Sequence, residues 1–109
     1  MLSGLNSQSF AFHGYLPKGS DALKKVIQDL ERESQARHMT QIFIERPYSN
    51  DQTLKMLLET LSDSTQLCIA AELTSPEQIV LTQKVSQWKK STPPNLNKKD
   101  VLFLFLQTI

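Results

Sequence analysis

The sequence predicts an α/β domain with a single mixed β-sheet of about five strands, flanked by helices, in the order βαβαββ(α)β. Three observations lead to this prediction. Residues 23–30 and 54–61 repeat aliphatic side chains at the spacing of amphipathic helices. Apolar or alternating segments of strand length lie before, between and after them. Turns rich in Gly, Pro, Ser or Asn separate these segments.

Length and composition restrict the class of protein. The chain has 109 residues, which fits one domain, and its 39% hydrophobic and 21% charged residues are typical of an ordered globular chain. A net charge of +1 gives no overall field that would attract nucleic acid or acidic lipid. The longest apolar run, residues 101–106, is far too short for a membrane span. A single cysteine allows no internal disulfide, which suits a reducing compartment, so we expect a cytoplasmic protein without membrane contact.

The first strand is predicted at residues 10–16 from a two-residue period. That period places two sets of side chains on opposite faces: Phe10, Phe12, Gly14 and Leu16 on one, and Ala11, His13 and Tyr15 on the other. Pro17 ends the strand because it has no amide proton to donate. A helix then begins with Ser20 or Asp21 as its cap and continues to about residue 35.

Residues 40–51, TQIFIERPYSND, form the corner around which the sequence is organised. Their first half is apolar and β-branched, as in a strand that is buried on both faces. Glu45 and Arg46 end this strand, and Pro47 cannot continue it. Ser49 and Gln52 have the spacing of a capping box, which predicts the start of a second helix.

The remaining segments complete the predicted sheet. A third strand at residues 66–73 precedes a fourth at 79–85, and their connection is too short for anything but an antiparallel pair. Residues 85–91, with Trp88, suit a short helix, and a loop follows to residue 100. The final strand, residues 101–107, is apolar on both faces and is therefore predicted to be central.

Two carboxylates stand at the ends of predicted strands. If right-handed crossovers make the first three strands parallel neighbours, Glu45 and Glu72 lie at the same edge of the sheet. Ligands of open α/β sheets usually bind beyond this edge. The two carboxylates could form an acid/base pair or could accept hydrogen bonds from a sugar hydroxyl or an amine. They could also be solvated strand ends, or Glu45 could pair with a basic neighbour for structural reasons.

The cysteine, histidine and glycine residues do not form the sequence patterns of common catalytic sites. Cys68, the only cysteine, lies in an apolar run and is interpreted as a core residue, not a reactive thiol. His13 and His38 have no partners at metal-ligand spacing, so we predict no metal site and assign no catalytic residue. With only three glycines, the chain also lacks a phosphate-binding loop of the usual kinds.

Three segments taken together resemble a known kind of domain: FHGYLP, FIERPYSN and AAELTSPEQIVLT. They are similar to the C-terminal domain of the tetrapyrrole-methylase superfamily of S-adenosylmethionine-dependent methyltransferases, and most similar to the ribosomal RNA small-subunit methyltransferase I family. The resemblance covers nearly the whole chain in order. Its matching positions are Ser3, Gly4, Leu5, Phe10, Phe12, Gly14, Leu16, Pro17, Glu45, Pro47, Glu72, Leu73 and Thr74.

The resemblance implies an incomplete enzyme. In this superfamily two α/β domains enclose S-adenosylmethionine, and the N-terminal domain supplies the glycine-rich loop. Residues 1–109 would be the C-terminal, substrate-side domain, inactive without its N-terminal partner domain. Residues 1–5, MLSGL, suit this expectation because they read as the end of a helix that begins elsewhere. The family also implies a homodimer for the full-length protein.

The resemblance also implies a set of site residues. Cofactor contacts carry over to Ile44, Glu45, Pro47, Ala70 and Ala71. Substrate contacts carry over to Glu45, Arg46, Tyr48 and Glu72. The implied reaction is methyl transfer, with a ribose 2′-hydroxyl of ribosomal RNA as the first acceptor to consider. A tetrapyrrole or another small molecule is the alternative substrate, and a non-enzymatic interaction domain is the alternative class.

The chain departs from the ribosomal RNA branch at its two corners. Where that branch has Ser-Pro-His-Arg, this chain has residues 46–49, Arg-Pro-Tyr-Ser. Ala71 stands where the branch has an arginine. Several cations that would contact RNA phosphates are therefore absent from these positions.

Overall fold

The computed structural model of the protein describes residues 9–17, 19–45, 49–72, 76, 78–91, 96 and 100–107. Their elements follow the predicted order, which confirms the α/β class: β1 (Ser9–Tyr15), α1 (Ser20–Arg37), β2 (Met39–Glu45), α2 (Asn50–Thr60), β3 (Gln66–Ala71), β4 (Ile79–Lys84), α3 (Val85–Lys90) and β5 (Val101–Leu106). The helix end predicted at residues 1–5 lies outside the described residues.

The five strands form one mixed sheet in the order β1-β2-β5-β3-β4. β1 and β2 are parallel, whereas β5 runs antiparallel to both β2 and β3. β4 pairs antiparallel with β3, as predicted. The prediction that β2 and β3 are neighbours is wrong, because β5 lies between them. The reason is burial, since the sequence VLFLFL of β5 is apolar on both faces and is best covered at the centre of the sheet.

One face of the sheet, here called the helix face, packs against all three helices. Its largest side chains are Phe43, Phe103 and Phe105, each fully buried, and the rings of Phe43 and Phe103 stack with centroids 5.4 Å apart. Trp88 of α3 closes the core and donates its indole N–H to the carbonyl oxygen of Leu67 at 2.8 Å. This core holds the strands in place.

The opposite face, here called the second face, carries a smaller buried cluster of Ile42, Cys68, Ala70 and Leu104. Cys68 is fully buried there, which confirms it as a core residue. Burial raises the pKa of the Cys68 thiol, and a hydrogen bond with the Thr82 side chain opposes part of that rise. The thiol is therefore held in its neutral, weakly nucleophilic form.

The helix boundaries differ slightly from those predicted. α1 follows Gly19 and ends where His38 adopts a left-handed conformation, with φ 51°, and donates its N–H to the Ser34 carbonyl. Ser49 is the N-cap residue of α2, as predicted, but its side chain makes no capping hydrogen bond. The first turn of α2 is instead tied to β2, because Thr53 donates its hydroxyl to a Glu45 carboxylate oxygen at 2.6 Å.

β1 contains a bulge that alternation alone does not predict. Phe12 pairs with Ile42 and Tyr15 with Ile44, so two residues of β1 stand opposite Phe43 alone. Gly14, one of the two, has φ +68°. Side chains alternate again beyond the bulge, which places Tyr15 on the second face beside Phe12 and not opposite it as predicted.

A polar network at the amino edge of the sheet holds β5 in place. The Glu31 carboxylate of α1 accepts hydrogen bonds from the Thr65 hydroxyl at 2.6 Å and from the Ser62 backbone N–H at 2.8 Å. Gln107, just after β5, donates to the Thr65 hydroxyl and, through its backbone N–H, to the Ser34 hydroxyl, both at 3.0 Å. These bonds join α1, the turn before β3 and the end of β5.

We predict that Gly14→Ala destabilises the protein by about 1–2 kcal/mol, the cost of a left-handed conformation for an L side chain. Steric crowding does not contribute to this loss of stability, because a Cβ at Gly14 would meet no atom within 4 Å. The urea midpoint, followed through the fluorescence of the single tryptophan, measures this cost. Gly14→Asn should recover part of the loss, since Asn tolerates the left-handed region. An unchanged midpoint in Gly14→Ala would contradict the bulge conformation.

We predict that the stability of the protein falls as the pH rises through the raised pKa of Cys68. The folded state favours the neutral thiol, so this contribution is complete below about pH 8.5, the usual value of an unfolded thiol, and is lost above it. Urea titrations at a series of alkaline pH values measure the decline. Cys68→Ala, which has no thiol, should show a shallower decline, and equal slopes in both proteins would refute the assignment.

Candidate functional site

The carboxyl ends of β2 and β3 and the amino end of β5 meet at one edge of the sheet. Glu45, Val101 and Ala71 lie side by side in register there. Adjacent strands are about 4.8 Å apart, so the backbones of β2 and β3 are separated by about 10 Å. Two cavities open at this edge, one on each face of the sheet.

The second-face cavity has a volume of about 190 Å³. Six residues line it: Ile44, Ala70, Glu72, Asp100, Val101 and Leu102. Ile44, Ala70 and Leu102 are consecutive partners across β2, β5 and β3, so their side chains form an apolar floor. Both carboxylates, Glu72 and Asp100, stand beyond the strand ends and make its rim acidic.

The shape of this rim follows from the way β3 ends. Glu72 adopts a left-handed conformation with φ +52°, which turns the chain out of the sheet directly after Ala71. Its backbone N–H donates to the Asp100 carbonyl at 3.0 Å, and its carboxylate accepts from the Asp100 N–H at 3.3 Å. These two bonds join the end of β3 to the start of β5. A strained backbone at a cavity rim is a common feature of binding sites.

The helix-face cavity, of about 240 Å³, lies between the beginnings of α1 and α2. It is lined mainly by hydroxyl, amide and apolar groups, together with one carboxylate: Leu16, Pro17, Gly19, Ser20, Leu23, Glu45, Ser49, Gln52, Thr53 and Met56. The carboxylate is that of Glu45, half-buried and hydrogen-bonded to Thr53. This cavity therefore offers a polar surface, whereas the second-face cavity offers an apolar floor.

The site residues expected from the sequence lie in different parts of the structure. Ile44, Ala70 and Glu72 line the second-face cavity together. Glu45 lines the helix-face cavity, on the other side of the sheet. Ala71 is fully buried in the core beneath the helices. Three further residues, Arg46, Pro47 and Tyr48, lie outside the described residues.

The separate locations of Glu45 and Glu72 help to decide between the alternative roles predicted for them. Glu45 and Glu72 are at the same edge, as predicted from the sequence, but β5 separates them and they line different cavities. Paired carboxylates that hydrolyse glycosides act across about 5–10 Å on one bound substrate. Because the sheet stands between Glu45 and Glu72, their arrangement favours two separate binding roles.

Sequence reasoning missed Asp100 and Leu102 as cavity residues. Both belong to the cavity only because β5 lies between β2 and β3. The hydrogen bond between Thr53 and Glu45 was also not predicted. The two residues are eight positions apart across a strand-to-helix corner, a separation that can bring their side chains close together. A larger cavity of about 440 Å³ between α2 and α3 contains none of the residues expected to form the site.

The other candidate residues have structural surroundings. His13 shares a hydrogen bond of 2.6 Å with the side chain of the buried Gln41, and His38 ends α1. In the part of the chain that the structure describes, no group of three or more His, Cys, Asp or Glu residues could hold a metal ion. Within those same residues, every helix is too short or too polar to cross a membrane.

Known proteins with similar sequences were found among curated methyltransferases, although no protein-family profile matches the chain. The chain is 25% identical over 105 residues, or 94% of its length, to the ribosomal RNA small subunit methyltransferase I of Buchnera aphidicola subsp. Schizaphis graminum. It is 36% identical over 72 residues, or 66% of its length, to the protein of the same name from Vibrio cholerae serotype O1. It spans only 35% and 24% of the lengths of these relatives.

Solved structures with the same fold include two methyltransferases. The crystal structure of the methyltransferase CobJ superposes over 96% of this chain and 44% of its own, with a TM-score of 0.60 and 17% identity. The cobalamin biosynthetic enzyme CbiF, a cobalt precorrin-4 methyltransferase, covers 92% of this chain and 41% of its own, with a TM-score of 0.57 and 14% identity. These two structures show the fold alone. The sequence relatives confirm the resemblance predicted from the sequence: the chain is similar to the ribosomal RNA small-subunit methyltransferase I proteins.

Proposed function

We propose that this chain is the substrate-side domain of an S-adenosylmethionine-dependent methyltransferase that acts on ribosomal RNA. The observation that carries the proposal is the similarity, over 94% of the chain, to a protein named ribosomal RNA small subunit methyltransferase I. Because the chain spans 35% of that relative, we infer that the complete enzyme contains a further domain, which supplies the rest of the cofactor site. The cavities at the carboxyl edge would face that domain.

The second-face cavity suits part of S-adenosylmethionine. Its floor of Ile44, Ala70 and Leu102 offers an apolar surface to the flat adenine ring. The carboxylates of Glu72 and Asp100 favour a cationic ligand and can accept hydrogen bonds from amino groups. Complete ligand pockets usually measure about 300–1,000 Å³, so a cavity of about 190 Å³ holds only part of the cofactor. A second domain would enclose the remainder.

The role of this chain in the reaction is positioning. S-adenosylmethionine, held by Ile44, Ala70 and Leu102, would supply an electrophilic methyl group. Its transfer to a hydroxyl oxygen would leave S-adenosylhomocysteine, and the hydroxyl proton would pass to water. Residues of the second face hold the adenosyl part and exclude water from it. Holding two reactants in line can by itself lower the barrier by about 7–11 kcal/mol.

Glu45 is suited to binding the acceptor and not the adenosyl part. Its carboxylate faces the helix-face cavity, where the hydroxyl and amide groups of Ser20, Ser49 and Gln52 also lie. Such a surface binds molecules with several hydroxyl groups, because hydroxyls both donate and accept hydrogen bonds. A ribose of RNA has this chemistry. We assign Glu45 a binding role and no role as a base.

We predict that Ile44→Ala weakens S-adenosylmethionine binding by the full-length protein about 5- to 30-fold, which corresponds to about 1–2 kcal/mol of lost apolar contact. Isothermal titration calorimetry measures the affinity. Val80→Ala is the matched control, since Val80 is a half-buried aliphatic residue on the same face but outside the cavity. Equal effects of the two substitutions would contradict this placement. Binding by the 109-residue chain alone, as strong as by the full-length protein, would refute the shared site.

We predict that the full-length protein transfers a labelled methyl group to isolated small-subunit ribosomal RNA, and that the label appears on a ribose 2′-oxygen. Nuclease digestion and chromatography of the nucleosides identify the modified atom. A known small-subunit methyltransferase I, assayed on the same RNA, serves as the positive control. Label that appears only in a tetrapyrrole substrate would replace RNA with a small-molecule acceptor.

A further inference from the structure

Three exposed aromatic side chains, here called the aromatic stripe, follow the edge strand β1. Phe10, Phe12 and Tyr15 expose 59%, 60% and 56% of their surfaces. Among the described residues, one other large hydrophobic side chain is exposed, Leu81 on β4 at the opposite edge of the sheet. Exposed apolar groups of this kind are usually scattered singly over a surface, so a row of three aromatic rings requires an explanation.

The bulge in β1 creates the stripe. Strict alternation would leave Phe10 and Phe12 on the second face but turn Tyr15 to the helix face. The register shift between Phe12 and Tyr15 brings all three to the second face, because Phe10, Phe12 and Tyr15 pair with Thr40, Ile42 and Ile44 of β2. Bulges are common beside active sites, where they reorient a side chain.

The stripe leads to the second-face cavity. Tyr15 pairs with Ile44, and Ile44 is part of the cavity floor. From Tyr15 the stripe continues back along β1 to Phe10, a distance of about 15 Å at the usual rise of a strand. An RNA strand that lies along the stripe would therefore reach the carboxyl edge beside the cavity proposed for the methyl donor. Glu45, proposed to bind the acceptor ribose, is the next residue of β2 after Ile44 at that edge.

The geometry points to the stripe as a stacking platform for the unpaired bases of single-stranded RNA. This inference rests on the proposed function and adds to it a binding surface and a mode of recognition. Proteins that bind single-stranded RNA on a sheet commonly stack two or three bases on aromatic side chains of that sheet. Such stacking tolerates different sequences, because every base has an aromatic face.

The charges on the second face are compatible with RNA. At the strand positions that alternation and register place on this face, there is no Asp or Glu, and the one charged side chain is Lys84 at the far edge. The carboxylates of Glu72 and Asp100 are at the cavity rim, beyond the strand ends. The stripe therefore offers base stacking without strong repulsion of the backbone, while phosphate contacts must come from other parts of the enzyme.

The area of the stripe argues against a second copy of the chain as its partner. Aromatic side chains bury about 150–250 Å² each, so three that are 56–60% exposed provide roughly 250–450 Å². Stable protein interfaces need about 800 Å² from each partner. The stripe is well below this size but is sufficient for a few bases.

The test is a binding titration of the full-length protein with a fluorescein-labelled, unstructured 12-nucleotide RNA, followed by fluorescence anisotropy. We expect Phe12→Ala to weaken binding about 5- to 150-fold, the range found when a stacking residue is removed. Phe12→Tyr keeps a ring and should stay within about threefold of the wild type. Leu81→Ala removes an exposed apolar side chain from the opposite edge and should have no effect.

Two further readouts separate stacking from other roles. The slope of log affinity against log salt should be the same in Phe12→Ala and the wild type, because stacking releases no counterions. Tryptophan fluorescence confirms that each variant is folded, since Trp88 is 1% exposed in the core. The affinity for S-adenosylmethionine should be unchanged in Phe12→Ala, because Phe12 is not a cavity residue.

Specific results would overturn this inference. Equal RNA affinity in the wild type and in the double variant Phe10→Ala/Phe12→Ala would refute the stacking role, even if methyl transfer proceeds and the methyltransferase proposal stands. Dissociation of a wild-type dimer by Phe12→Ala, seen by sedimentation with RNA affinity unchanged, would identify the stripe as an interface between copies. If the full-length protein binds neither RNA nor S-adenosylmethionine, the proposed function fails as well.

Discussion

The position of β5 between β2 and β3 is the constraint on which the rest of the structure depends. Its apolar residues are covered on both faces, and its register aligns Val101 with Glu45 on one side and Ala71 on the other. Phe103 and Phe105 build the centre of the helix-face core. Without β5, the parallel pair β1-β2 and the hairpin β3-β4 would have no contact within the sheet.

The same strand also determines the shape of the carboxyl edge. Because β5 begins where β2 and β3 end, Asp100 lies between their ends and can close the rim with Glu72. The sheet then separates an apolar cavity that contains Ile44 and Ala70 from a polar cavity that contains Glu45. Adjacent residues of β2 thus serve opposite faces, a direct consequence of strand alternation. This arrangement allows one edge of the sheet to bind two chemically different reactants.

Local patterns in the sequence predicted most elements and the class of fold, because periodicity and turn residues act over short distances. They could not give the order of strands, since the pairing of Phe103 with both Phe43 and Ile69 joins residues far apart in the chain. The bulge at Gly14 was missed because FAFHGY alternates well enough without it. For the site, family resemblance indicated Ile44 and Ala70, whereas Asp100 and Leu102 became visible only with the strand order known.

A central strand that follows all the others in sequence has a consequence for folding. The two halves of the sheet emerge first during synthesis, and neither can complete its pairing until residues 101–106 are available. The contacts of β5 with β2 close a loop of about 60 residues, and non-local pairing of this kind slows folding. Until then, the inner edges of β2 and β3 expose unpaired backbone groups, which makes the nascent domain prone to association through strand edges.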